Sequence, residues 1–146
     1  ARVLMEKLAK ATQAGLARAI HDCSEGGMAV ALAEMAFAGG LGMEIFLSQA
    51  PYKIKSSKGV NINRQGKSVA LRNDFILFSE SNSRFLVEVE KGRQKEFEKA
   101  LKGVSFGLAG CLSKGKDFRV YGLDGKACIE ADIGDLKECW QSPLRW

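Results

Sequence analysis

A pair of glycines followed by a thin apolar helix constrains this chain more than any other feature. After Gly26-Gly27, the residues Met28, Leu32, Met35 and Ala36 recur at i, i+4, i+7 and i+8, while Ala29, Ala31, Ala33 and Ala38 add little bulk. A helix of this kind can press closely onto a sheet. The longest apolar stretch, residues 28–37, is interrupted by Glu34 and stops at Gly39-Gly40, too short and broken for a membrane span. No basic and apolar leader opens the sequence. The expectation is a cytoplasmic protein with no membrane partner.

The flanking pattern supplies the remaining elements. Residues 2–14 place Val3, Leu4, Leu8 and Ala11 at helical spacing ahead of Gly15, and residues 16–23 read as a buried strand leading into the glycine pair. Residues 41–47 read as a strand, and residues 48–73 as a long polar segment. Residues 75–78 are apolar, 79–83 form a polar turn, and 84–90 read as a strand. A helix is predicted over 92–101, with Phe97 and Leu101 on one side and Gly103 as its stop. Val104, Phe106 and Leu108 share one face of a further predicted strand. Asp124-Gly125 joins strands at 118–123 and 126–131 in a hairpin, and Asp132 caps a last helix carrying Ile133, Leu136 and Trp140. This order predicts an α+β layered sandwich, a mixed sheet with helices packed on it, in one domain spanning residues 1–146.

Composition narrows the function classes. The 146 residues are 46% hydrophobic and 27% charged, enough for one packed core. Cys23, Cys111, Cys128 and Cys139 form no C-x-x-C pair, and one histidine cannot complete a zinc cluster at such spacing. The net charge of +5 permits phosphate ligands without demanding nucleic acid. Much of the excess lies in Lys53, Lys55, Lys58, Arg64, Lys67 and Arg72, a stretch without acidic residues. It lacks the interleaved aromatics of a single-strand-binding surface and reads as a solvated basic loop.

The segment His21-Asp22-Cys23-Ser24-Glu25-Gly26-Gly27 carries the chemistry. Gly26 and Gly27 allow a ligand to approach the backbone where a helix starts, and the unpaired first-turn N–H groups there favour an anion. Ser24 is expected as N-cap. In an extended segment Asp22 and Ser24 point the same way, and Asp22 is the hard oxygen ligand that Mg²⁺ accepts beside phosphate oxygens. The same residues admit a structural reading, with Ser24 only a cap, Asp22 a strand end and the glycines serving close packing. His21 and Cys23 fall on the opposite face. With no third orienting group identifiable, they read as a packed His and a buried Cys rather than a catalytic pair, and no catalytic residue is assigned.

The run from Gly15 to Gly42, the segment Leu77-Phe78-Ser79-Glu80-Ser81-Asn82-Ser83-Arg84-Phe85-Leu86-Val87, and the ending Trp140 to Trp146 with Pro143 together resemble the phosphoribosylformylglycinamidine synthase family. The likeness is to the C-terminal-type domain of that enzyme's second half. It covers most of the chain apart from the Lys-rich stretch after Pro51. The resemblance implies the fold of aminoimidazole ribonucleotide synthetase's C-terminal domain, in a superfamily that also holds selenophosphate synthetase and a hydrogenase maturation protein. It implies an ATP-dependent, glutamine-linked ligase of purine biosynthesis, with ATP/ADP and Mg²⁺ as cofactors. The partners would be the remaining domains of a larger synthetase, a glutaminase and a small accessory subunit. Carried over by position, Asp22 becomes a magnesium ligand and Ser24 a nucleotide contact of an auxiliary site, with Gly26 and Gly27 lining it. Glu80 and Ser81 match a ligand-touching position of the homologous first half. The piece alone would be inactive. The alternatives are a related synthetase's domain and a non-catalytic interaction domain using the basic loop.

Overall fold

The computed structural model describes residues 1–52 and 71–145. The basic stretch expected to be a loop lies outside them except for Arg72, whose guanidinium pairs with Asp74 at 2.5 Å. Trp146 also lies outside.

Helix α1 (Arg2–Gln13) ends where the pattern places it, before Gly15 at φ +67°. Strand β1 (Ala19–Asp22) follows and pairs antiparallel with β3 (Phe85–Glu88), setting His21 opposite Leu86 and Asp22 opposite Phe85. This two-stranded ribbon separates two apolar clusters. Side chains alternate along a strand, so Leu86 joins the cluster under α2 (Gly27–Gly39), while Phe85 and Val87 join Leu8, Ala11, Leu16, Phe97 and Leu101 beneath α1 and α4 (Gln94–Ala100).

The second sheet has the order β4-β2-β5-β6, formed by β4 (Gly110–Ser113), β2 (Gly42–Phe46), β5 (Asp117–Tyr121) and β6 (Ala127–Asp132). It is mixed: β2 runs parallel to β5 and antiparallel to β4, and β6 is antiparallel to β5. Helix α2 packs on α3 (Asn73–Phe78) and α5 (Ile133–Gln141), and beneath them Leu47, Phe118 and Val120 are fully buried. The α+β class and the mixed sheet agree with the sequence reading.

Three local expectations change. Residues 73–78, read as loop and an apolar run, form the helix α3. Residues 104–108 form no strand, and the places on either side of β2 are taken by β4 and β5. Here Gly107 runs against the chain after β2, where a Cβ would stand 2.2 Å from the Gln49 carbonyl oxygen. The hairpin exists, but Asp124-Gly125 is not a two-residue turn. Gly125 at φ +76° donates to the Gly122 carbonyl, and Gly122 in turn donates to that of Lys126.

Asp132 caps α5 as expected, accepting from the Gly134 N–H at 2.7 Å, and no other helix among the described residues has a side-chain cap. Asp132→Ala is expected to lower unfolding stability by about 1 kcal/mol in urea titrations. Asp132→Asn should retain most of it.

Candidate functional site

The corner forms where β1 leaves the ribbon and the chain turns into α2. Asp22 and Ser24 lie on the same side, as the two-residue period requires, and the Ser24 hydroxyl donates to Asp22 Oδ2. That hydrogen bond, with the backbone and the adjacent His21, holds the exposed Asp22 carboxyl below the usual carboxylate range. Asp22 is therefore ionised at neutral pH.

Ser24 is not the N-cap. The turn closes with Gly27 donating to the Ser24 carbonyl at 3.1 Å, and the cap position falls to Gly26 at φ +72°, with no side-chain cap. Both glycines are left-handed, which explains a doublet that is otherwise unfavourable in a helix start. At Gly27 a Cβ would lie 2.8–2.9 Å from backbone atoms of Leu77, Phe78 and Ser79. Close packing against the end of α3 thus accounts for Gly27. The first N–H groups are also engaged internally, for Gly26 donates to Glu80 Oε1 at 3.0 Å.

This contact joins two segments 54 residues apart. Asp22, Ser24, Glu25, Glu80, Ser81 and Arg84 border a shared groove of about 560 Å³. Ser81 Oγ lies 3.2 Å from Ser79 Oγ, and Ser83 on the rim is the one described non-glycine residue with positive φ, at 65°. The Arg84 guanidinium does not project as a free cation. It donates to the carbonyls of Ile76 and Ser79 and to Ser79 Oγ, and contacts Met28 Sδ, tying down the end of α3.

Three carboxylates and a committed arginine make the groove unsuited to a bare anion. A cation, or a phosphate bridged by one, fits better. Among the described residues no three His, Cys, Asp or Glu side chains form a metal cluster. The donor set matches Mg²⁺, which keeps several waters and takes one or two carboxylates with substrate phosphates, rather than a metal held in an all-protein cage.

On the other face, Cys23 is 5% exposed within the main core, and burial pushes its thiol up despite nearby Arg84. It is an inert core residue. His21 Nδ1 lies 2.7 Å from the Asp22 carbonyl oxygen and its Nε2 2.9 Å from Glu34 Oε2. Sequence reasoning assigned no role to Glu34 or Arg84. The signal for Glu34 was visible as the one charge interrupting the apolar run of α2, whereas nothing in the spacing pointed to Arg84.

Residues 2–121 match the family described as AIR synthase related protein, C-terminal domain. The chain is 36% identical over 133 residues to phosphoribosylformylglycinamidine synthase subunit PurL of Moorella thermoacetica, covering 90% of this chain and 15% of that protein. For the same subunit of Alkaliphilus metalliredigens the values are 31% over 144 residues, 97% and 16%. Among solved structures, Thermotoga maritima PurL complexed with ADP superposes with a TM-score of 0.74 at 18% identity, over 91% of this chain and 21% of that one. A HypE-HypF complex gives a TM-score of 0.62 at 20% identity, over 88% and 40%. The chain therefore spans about 15% of the length of the curated relatives it matches.

Proposed function

Because the chain belongs to the family of AIR synthase related protein C-terminal domains, we propose that it serves a larger synthetase of purine biosynthesis by contributing Asp22 and Ser24 to a Mg–nucleotide site. That synthetase would convert formylglycinamide ribonucleotide to formylglycinamidine ribonucleotide, using ATP and glutamine-derived ammonia. The observation that carries the reading is the Asp22 carboxylate, held by the Ser24 hydroxyl at the groove shared with Glu80 and Ser81.

Support comes from the relatives' names and from Thermotoga maritima PurL, whose solved complexes include ADP, ATP, AMPPCP and FGAR. The solved PurLQS structure of Thermotoga maritima supports a parent enzyme that works with further subunits, which we take to be a glutaminase and a small accessory protein. The four free cysteines suit a reducing, cytoplasmic setting.

In this reading Mg²⁺ would take Asp22 as its one carboxylate from this chain, and when bound it would offset the charge of the nucleotide phosphates. Ser24 orients that carboxylate and can turn its hydroxyl to a phosphate oxygen. Gly26 ties the corner to Glu80 through its N–H, and Gly27 seats the start of α2 against the end of α3. Glu80 holds the corner to the 79–83 turn, and Ser81 presents a second hydroxyl. The other phosphate and substrate contacts would come from further domains of the parent enzyme, so the isolated chain is expected to be inactive and to bind nucleotide weakly.

Titration of the chain with Mg·ADP tests this. Asp22→Ala is expected to weaken binding by about tenfold or more, on the order of 1.4 kcal/mol, with the fold unchanged by circular dichroism. Unaltered affinity would remove the site. Turnover of formylglycinamide ribonucleotide by the 146-residue chain alone would contradict the division of labour proposed here.

A further inference from the structure

We propose that Trp140, Glu34 and His21 form a positioning chain that fixes the Asp22–Ser24 corner from the far side of β1, linking helix α5 to the nucleotide site. The inference rests on the Mg–nucleotide reading of Asp22 and Ser24.

Each link is a specific contact. Trp140 Nε1 donates to Glu34 Oε1 at 3.0 Å, the other Glu34 oxygen lies 2.9 Å from His21 Nε2, and His21 Nδ1 donates to the Asp22 carbonyl at 2.7 Å. The last of these restrains the peptide plane joining Asp22 to Cys23, and so the direction in which the Asp22 side chain leaves the strand. The Trp140 ring also rests on Phe37, with centroids 5.7 Å apart. Glu34 thus has both oxygens engaged, and the one carboxylate in the apolar run of α2 gains a reason for being there.

Two features make this more than surface packing. Register forces it: His21 sits opposite Leu86 on the α2 side of the ribbon, whereas Asp22, one residue on, faces the groove. The ring meets the Asp22 carbonyl directly and stands 3.8 Å from Asp22 Oδ1, so it acts on the site from behind the carboxylate. Trp140 also reaches the corner from α5, an element 106 residues beyond Glu34 in the chain, so two distant helices are tied together at it. The three are positioning residues.

Outer partners that orient a metal-binding group typically alter metal affinity about 10- to 100-fold when removed. The test measures the Kd for Mg·ADP on the 146-residue chain by amide shifts in NMR, with urea stability recorded in parallel. Glu34→Ala is expected to raise Kd about tenfold. Glu34→Gln, whose oxygen accepts from Trp140 while its amide donates to His21 Nε2 in the tautomer with hydrogen on Nδ1, reverses the middle bond but keeps the chain and should stay within about twofold of the unsubstituted protein. A merely structural role would track stability and would show no such rescue. Trp140→Phe, which keeps a ring on Phe37 and removes the N–H, should fall between. If Asp22→Ala loses binding while Glu34→Ala does not, the positioning role is overturned and the site stands. If Glu34→Gln binds as poorly as Glu34→Ala, the hydrogen-bond chain is overturned as well. Unaltered binding by Asp22→Ala removes both the site and its positioning. Should Glu34→Ala fail to fold, an unchanged Kd for Trp140→Phe overturns the proposal.

Discussion

Gly27→Ala is expected to destabilise the chain by about 2–5 kcal/mol, seen as a lower urea midpoint. Two costs add. A non-glycine residue held at the φ of +65° observed here is disfavoured by about 1–2 kcal/mol. The new methyl would also stand within 2.8–2.9 Å of the Leu77 and Ser79 carbonyl oxygens and the Phe78 carbonyl carbon, all main chain and none able to swing aside. Forcing such atoms apart costs about 1–3 kcal/mol. Against a total stability of about 5–15 kcal/mol for an ordinary domain, this is a large fraction. A loss below about 1 kcal/mol would show that α3 can retreat from α2 and that the glycine is retained for another reason.

Phe118→Ala should cost about 3–5 kcal/mol by the same measurement, the range for truncating a buried aromatic. Phe118 is 2% exposed on β5, an inner strand of the mixed sheet, where it pairs with Met43 of β2 and Ala131 of β6. The cavity would open among residues held by two neighbouring strands, which leaves little room for collapse. Phe78, 53% exposed at the end of α3, serves as the control, and Phe78→Ala should cost about 1 kcal/mol or less. Equal losses at the two positions would mean that the sheet is not the centre of the core.

The contrast between these residues shows what could be read in advance. Leu8 and Ala11, Phe97 and Leu101, and Met28, Leu32 and Ala36 sit at helical spacing and prove buried, whereas Leu4 and Met35 of the same patterns are partly covered and Val3 stays exposed. Periodicity reports burial directly, so these elements were legible. Helix α3 was not, because it has only six residues and leaves Phe75 and Phe78 half in solvent. The predicted strand at 104–108 failed for a different reason. Alternating Val104, Phe106 and Leu108 describe a strand in search of a partner, and whether an edge of β2 is vacant is a property of the whole sheet.

At the corner, the convergence of Asp22 with Ser24 followed from the period of a strand. The capping assignment did not survive, since two left-handed glycines delay the start of α2 beyond Ser24. Sequence likeness marked Glu80, but its bond to the Gly26 N–H joins residues that no local pattern relates. Such long-range contacts are legible only once the ribbon has brought the turn at 79–83 beside the corner.

The ribbon between the two clusters also acts as a ruler. Sliding β1 by one residue against β3 would swap its faces, turning Asp22 inward toward α2 and sending His21 out to the groove. Because Leu16 just before β1 and Cys23 just after it are buried in opposite clusters, such a slip would have to disturb both cores at once. The position of the Asp22 carboxylate is thereby measured off by the packing of both clusters, and a one-residue adjustment of the site along the strand is not available to it.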